Sequence, residues 1–292
     1  PGQAQVCDLC ALSASLQYRY HRRHRILVSA LGLSGLAVGV VLGAALHLVI
    51  QLPSIIADGY FLRLPRFVEP RALIETARVS IPRALALSMN QIAFLGLVAL
   101  GSTLTVGSVS VFMFAFNLQA VPLAIIGASY SVAAFPTLAL ALSRGERSEF
   151  ISHVATAARY VFFWSVPASA LILILRAYIV RVVLGTGAFD WTDTRLTAAA
   201  FALLAFSLVS QGIMLLLVRG YYAAGRTFVP FVVSACMALL TLALAALMLG
   251  ALSTPAILSW IEHALRVENL PGTAVLGLAL AYTASSLLGT LV

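Results

Sequence analysis

The chain has 292 residues, 61% of them hydrophobic and only 10% charged. That ratio leaves too little polar cover for a soluble globular surface, so the soluble enzyme and binding-domain classes are excluded. All 18 basic residues are arginine, against 10 acidic ones, for a formal charge of +8. The arginines lie between apolar runs, where they anchor loops beside a membrane, and nucleic acid is excluded as a partner.

In chain order, residues 1–25 read as a basic juxtamembrane segment of unknown fold, and residues 26–292 as a transmembrane helical domain. The opening PGQAQVCDLC has no basic region followed by a short apolar core, so insertion is expected to rely on the spans themselves. Cys7 and Cys10 followed by His21 and His24 approach a zinc-finger spacing. The interval is short, however, and the flanking arginines repel a cation, so the segment is read as juxtamembrane and no metal is expected. With Cys236 the only other cysteine, no disulfide framework is expected.

Seven apolar stretches follow, near residues 26–50, 84–106, 111–142, 154–184, 196–218, 228–250 and 272–292. Each can cross a hydrocarbon core about 30 Å thick. The third and fourth are longer than that requires and are expected to tilt or project. Pro122 and Pro136 in the third and Pro167 in the fourth predict kinks, because proline removes a backbone donor and clashes with the preceding turn. The stretch Ser253 to Asn269 carries Ile257, Trp260, Ile261 and Leu265 at helical spacing, as either an interfacial helix or a plain connector does. The last apolar run reaches Val292 without a polar tail, so the chain reads as a piece of a longer protein.

Asp190 and Asp193, in GAFDWTDTRLTAAA, are the only carboxylate pair that suggests metal-assisted chemistry on a diphosphate. Their position favours the start of a helix capped by Thr192, with the acidic residues set against the helix dipole. A membrane enzyme needs carboxylates at an interface. With no other such cluster, neither a catalytic residue nor a cofactor is expected. Polar side chains inside the spans carry more information, because hydrocarbon offers them no partner. Ser88, Asn90 and Gln91 cluster in the second span, Asn117 and Gln119 lie in the third, and Gln211 lies in the fifth. Ser110, Phe114, Asn117 and Val121 share one helical face. Asn90, Gln91, Ser110 and Asn117 are the candidates to line a cavity for a sugar or phosphate headgroup. Interhelical glue, at about 0.6 kcal/mol per bond, is the other reading that spacing leaves open.

Several runs together resemble the MurJ/MviN lipid II flippases of the multidrug/oligosaccharidyl-lipid/polysaccharide exporter superfamily. GLAVGVVLGAALHLVIQLP is similar to that family's sixth helix, IPRALALSMNQI to its seventh, and GSVSVFMFAFNLQAVPLAIIGASYSVAAFPTLA to its eighth. GTGAFDWTDTRLTAAA and RGYYAAGRTFVP resemble the pattern after the ninth helix and at the end of the tenth. The resemblance implies an all-α transporter of two six-helix lobes, of which this chain carries helices six to twelve: one lobe plus one helix of the other. It implies a flippase in the bacterial cytoplasmic membrane that moves undecaprenyl-diphosphate-linked peptidoglycan precursor by alternating access during cell wall biogenesis. The partners would be that lipid-linked glycan, membrane lipids and the remaining helices. A flippase for another lipid-linked polysaccharide and a transport-inactive scaffold are the alternatives. Two departures bear on mechanism: Phe116 and Asn117 stand where the family commonly carries an acidic-basic pair, and Leu97 where some members carry an acidic residue.

Loop charge predicts sidedness. Ten arginines lie in the loops 59–83, 143–159 and 219–226 against four in the alternate loops, so the first set is expected in the cytoplasm. In a cysteine-free background, single cysteines replacing Ser108 and Asp193 should react with a membrane-impermeant thiol reagent on intact cells. Those replacing Arg71 and Arg144 should react only after permeabilisation, and the reverse pattern would overturn this sidedness.

Overall fold

The computed structural model describes residues 33–57, 70–187, 189–252, 254–268 and 270–290. The basic segment 1–25, with its cysteines and histidines, lies outside the described residues. Among the described residues every regular element is helical. The chain divides into two units, Pro1–Leu73 and Ile74–Val292. The first contains α1 (Leu33–Ala57), a 25-residue apolar helix with Pro53 near its end.

The second unit is built of antiparallel helices. α2 (Pro70–Ser102) is followed by α3 (Ser108–Leu123), a π-helical turn (Ala124–Ala128) and α4 (Ser129–Ser143). Next come α5 (Arg147–Leu184), α6 (Trp191–Ala205) and α7 (Leu208–Ala223). α8 (Phe228–Leu252), α9 (Pro255–Leu265), a 3-10 turn (Thr273–Val275) and α10 (Leu276–Gly289) complete it. Four helices among the described residues are long and apolar enough to cross a membrane unaided: Leu73–Ser102, Ser108–Ser143, Arg147–Leu184 and Phe228–Leu252. α6 and α7 form a fifth pass bent by 47°. Shorter apolar helices, Val41–Pro53 and Thr273–Gly289, stand at the first and last predicted spans.

α6 is the axis of the unit. From Leu196 to Ala205 every residue is buried, because AAAFALLA is apolar on all sides and its alanines let α3, α5 and α10 approach closely. A capping box starts it. The Asp190 carboxylate accepts from the Asp193 amide at 2.8 Å, and the Asp193 carboxylate accepts from the Asp190 amide at 3.2 Å. The capping expectation therefore holds, with the cap at Asp190 rather than Thr192; the aspartate has a carboxylate acceptor in reach of the third amide of the helix. No metal-binding group of three or more histidine, cysteine or acidic side chains occurs among the described residues.

Not every break in helical hydrogen bonding lies at a proline. Of the three prolines, only Pro122 adjoins a change in backbone hydrogen bonding, the π turn, while Pro136 and Pro167 sit inside unbroken α-helices. The sharp break falls within the predicted span 196–218, at Phe206–Ser207, with no proline near. There the Phe206 and Ser207 amides bond three residues back, to Leu203 and Leu204. Hydroxyls add to the bonding of the carbonyls at the break. Thr283 of α10 donates to Leu203 O at 2.9 Å, Ser207 to Leu204 O at 2.6 Å, and Ser169 of α5 to Ala205 O at 2.9 Å. Such rescue is what makes a broken helix tolerable in hydrocarbon. The second predicted span also differs: α2 begins at Pro70, because the polar run PRALIETARV continues the helix beyond its apolar part.

α9 presents three faces. Ile261 is buried and Leu258 and Leu265 are half-buried against the bundle; Ile257 and Trp260 are 44% and 72% exposed; Ser259 and His263 form a polar edge. Its end is pinned by Arg176, donating to Leu265 O at 2.9 Å, and Arg195, donating to Arg266 O at 2.6 Å. This partition suits a helix lying in an interface better than a simple connector.

The π turn lets two backbones touch. A Cβ on Gly127 would stand 2.9 Å from Gly212 Cα of α7, a contact that backbone cannot relieve. Gly127→Ala is expected to lower the melting temperature of the purified protein, at a cost of about 1–3 kcal/mol. Gly250→Ala, whose new methyl meets open space, should leave stability unchanged or raised.

Candidate functional site

One face of α2 supplies a wall. Arg83, Leu87, Asn90 and Phe94 recur at three- and four-residue intervals, so they stack along one side of the helix, and Gln91 lies beside them. Opposite stand α7, α8 and α10, and the space enclosed is a chamber of about 690 Å³.

The chamber is graded in polarity. At one end Arg83 and Arg219 carry positive charge, and the Arg83 guanidinium lies over the Tyr222 ring, 5.0 Å from its centroid. At the other end Phe94, Phe112 and Phe116 pack together, and Phe116 meets Tyr282 edge-on at 5.4 Å. Gln211 and Tyr282 also line the chamber, tied to the break between α6 and α7 by buried Ser207 and Gln119. Gln119 and Gln211 both donate to Ser207 Oγ, at 3.0 and 2.6 Å, and the Tyr282 hydroxyl donates to Gln211 Oε1 at 3.0 Å. Thr241 donates to Ser285 at 2.8 Å across α8 and α10.

With no carboxylate among the chamber's described lining residues and no metal-binding cluster among the described residues, the arrangement suits holding an anionic or hydroxyl-rich group. Gln119 and Gln211 are committed to Ser207 and Thr241 to Ser285, whereas the Asn90 and Gln91 amides make no hydrogen bond among the described residues and remain available.

The structure separates the four sequence candidates. Asn90 and Gln91 line the chamber. Ser110 and Asn117 do share a face with Phe114 and Val121, but that face of α3 is exposed, while Phe112, Ala115 and Gln119 turn inward. Gln119 is interhelical glue, only 1% exposed. Sequence reading passed over Arg83 and Tyr222. Arg83 had counted as a loop charge because the apolar run starts at Ala84, yet its helical spacing to Leu87, Asn90 and Phe94 was legible.

The family model for lipid II flippase MurJ matches residues 12–292, nearly the whole chain. The chain belongs to the MurJ family. Relatives in the family include a probable lipid II flippase MurJ of Bdellovibrio bacteriovorus, 28% identical over 200 residues, which cover 68% of this chain and 38% of that protein. The Buchnera aphidicola counterpart is 27% identical over 230 residues, covering 78% of this chain and 43% of its own length. Among solved structures, a lipid II flippase MurJ in an inward closed conformation superposes with a TM-score of 0.66 at 19% identity, over 92% of this chain and 51% of that one. The fold is thus that of a MurJ-family membrane protein, and the chain spans about two fifths of the length of these curated relatives.

Proposed function

We propose that the chain forms one lobe, with an adjoining helix, of a flippase that carries lipid-linked peptidoglycan precursor across the bacterial cytoplasmic membrane by alternating access. The observation that carries this reading is the chamber inside a MurJ-family lobe: basic at one end, lined with unpartnered amides and free of carboxylates. A diphosphate needs guanidinium and amide donors and is repelled by carboxylates. A headgroup moved intact needs no nucleophile, so the protein is a transporter rather than an enzyme. The polyprenyl tail stays in lipid while polar surfaces accompany the headgroup.

On this reading Asn90 and Gln91 offer hydrogen bonds within the lobe. Ser110 and Asn117, on the exposed face of α3, offer them to a passage completed by the remaining helices of the transporter. Each bond is worth on the order of 1 kcal/mol, or about fivefold in a rate or affinity.

Depletion of the complete protein should trap precursor on the cytoplasmic face and weaken the wall, and re-expression should restore both. Asn90→Ala or Asn117→Ala should restore transport only partly while melting at the wild-type temperature, because a cavity-facing amide has water as its alternative partner. A normal precursor distribution after depletion, in a host without a second flippase, contradicts the flippase reading. Lost stability with full transport per folded molecule removes that asparagine from the site.

A further inference from the structure

A second cleft, of about 790 Å³, opens between α4, α5 and α7. It shares no lining residue with the chamber: Leu217 and Tyr221 face the cleft, whereas Val218 and Tyr222 face the chamber, so α7 separates the two.

Two arginines stand at the cleft, held by twin turns. α4 ends with the Glu146 amide donating to Ala141 O at 3.0 Å and the Gly145 amide to Leu142 O at 3.1 Å. α7 ends with the same pair of bonds, from Arg226 to Tyr221 O at 3.0 Å and from Gly225 to Tyr222 O at 3.1 Å. Gly145 and Gly225 take the left-handed conformation this motif requires, with φ of 77° and 68°. Arg226 is thereby fixed just beyond α7, and Arg147 is fixed as the first residue of α5.

Neither guanidinium has an acidic partner among the described residues, where the ion pairs all involve histidine; Glu149 bonds His153 at 3.3 Å, and Glu146, next to Arg147 in the chain, interacts with Glu149. From Arg147 the cleft follows Ile151 and Val154, four and seven residues on, so one stripe of α5 runs from cation to aliphatic surface over about 10 Å. Ile151 is 65% exposed on that stripe, and Leu217 faces it from α7. A cationic end leading into an apolar furrow matches a phosphate with an acyl chain below it; a soluble anion would leave the furrow unused.

The geometry points to a binding site for an anionic phospholipid, with Arg147 and Arg226 on the headgroup phosphate and the acyl chain along Ile151, Val154 and Leu217. Basic pockets between membrane helices bind anionic headgroups in this way. The site rests on the placement of this lobe in a bilayer and is independent of what the chamber carries.

The test uses the complete protein in detergent, titrated with phosphatidylglycerol, phosphatidylcholine or inorganic phosphate, and reads bound lipid by native mass spectrometry alongside the melting temperature. Phosphatidylglycerol should bind and raise the melting temperature, and the other two should do neither. Arg147→Gln with Arg226→Gln should weaken phosphatidylglycerol binding at least about fivefold without changing transport. Equal binding of the two lipids, or an equal shift with phosphate alone, overturns the proposal. So does a folded double variant that keeps its phosphatidylglycerol. If the double variant does not fold, the three-ligand comparison on the wild type decides alone.

Discussion

The bend between α6 and α7 imposes the constraint on which this lobe depends. In hydrocarbon a carbonyl without a donor costs several kcal/mol, so a helix can break there only where other groups supply the missing bonds. The Ala205 carbonyl receives the Ser169 hydroxyl, and the Leu203 and Leu204 carbonyls, which keep the Phe206 and Ser207 amides, receive the Thr283 and Ser207 hydroxyls as well. Two of these come from other helices, so the break ties α5 and α10 to the central pass. Ser207 extends the connection by accepting from Gln119 of α3 and from Gln211, which in turn holds Tyr282. Side chains of α3, α5 and α10 thus meet at the break between α6 and α7.

The 47° bend also gives the chamber its form. It separates the direction of α7 from that of α6, and Gln211, bonded to the buried Ser207 at the bend, lines the chamber. Polar residues here divide into two kinds. Gln119, Gln211, Thr241 and Ser285 spend their hydrogen bonds on structure, whereas Asn90 and Gln91 keep theirs for whatever enters. Arg83 and Arg219 supply charge at one end and the aromatic cluster closes the other.

Much of this was legible in the sequence, and the exceptions have physical causes. Composition alone gave the membrane class, and polar residues inside apolar runs marked Asn90, Gln91, Gln119 and Gln211. Spacing could not tell that the Gln119 amide was bonded, because its partner lies 88 residues away. Pro136 and Pro167 lie inside α-helices that continue past them, since a helix can absorb one missing donor without breaking. The bend at Phe206–Ser207 has no proline to mark it, and two of the hydroxyls at it come from distant helices. Arg83 was hidden for a simpler reason: hydropathy reports where a helix meets lipid, and α2 continues well past that boundary.

The most direct test is a double-mutant cycle on the bond from Gln119 to Ser207, measured as thermal or denaturant stability of the purified complete protein. Gln119→Leu and Ser207→Ala should each destabilise it. Together they should cost less than the sum of the two, with a coupling of about 0.6–1.7 kcal/mol, as for a strong hydrogen bond between membrane helices. Additive losses, or single variants as stable as the wild type, would show that the break is not held by this network and would contradict the account.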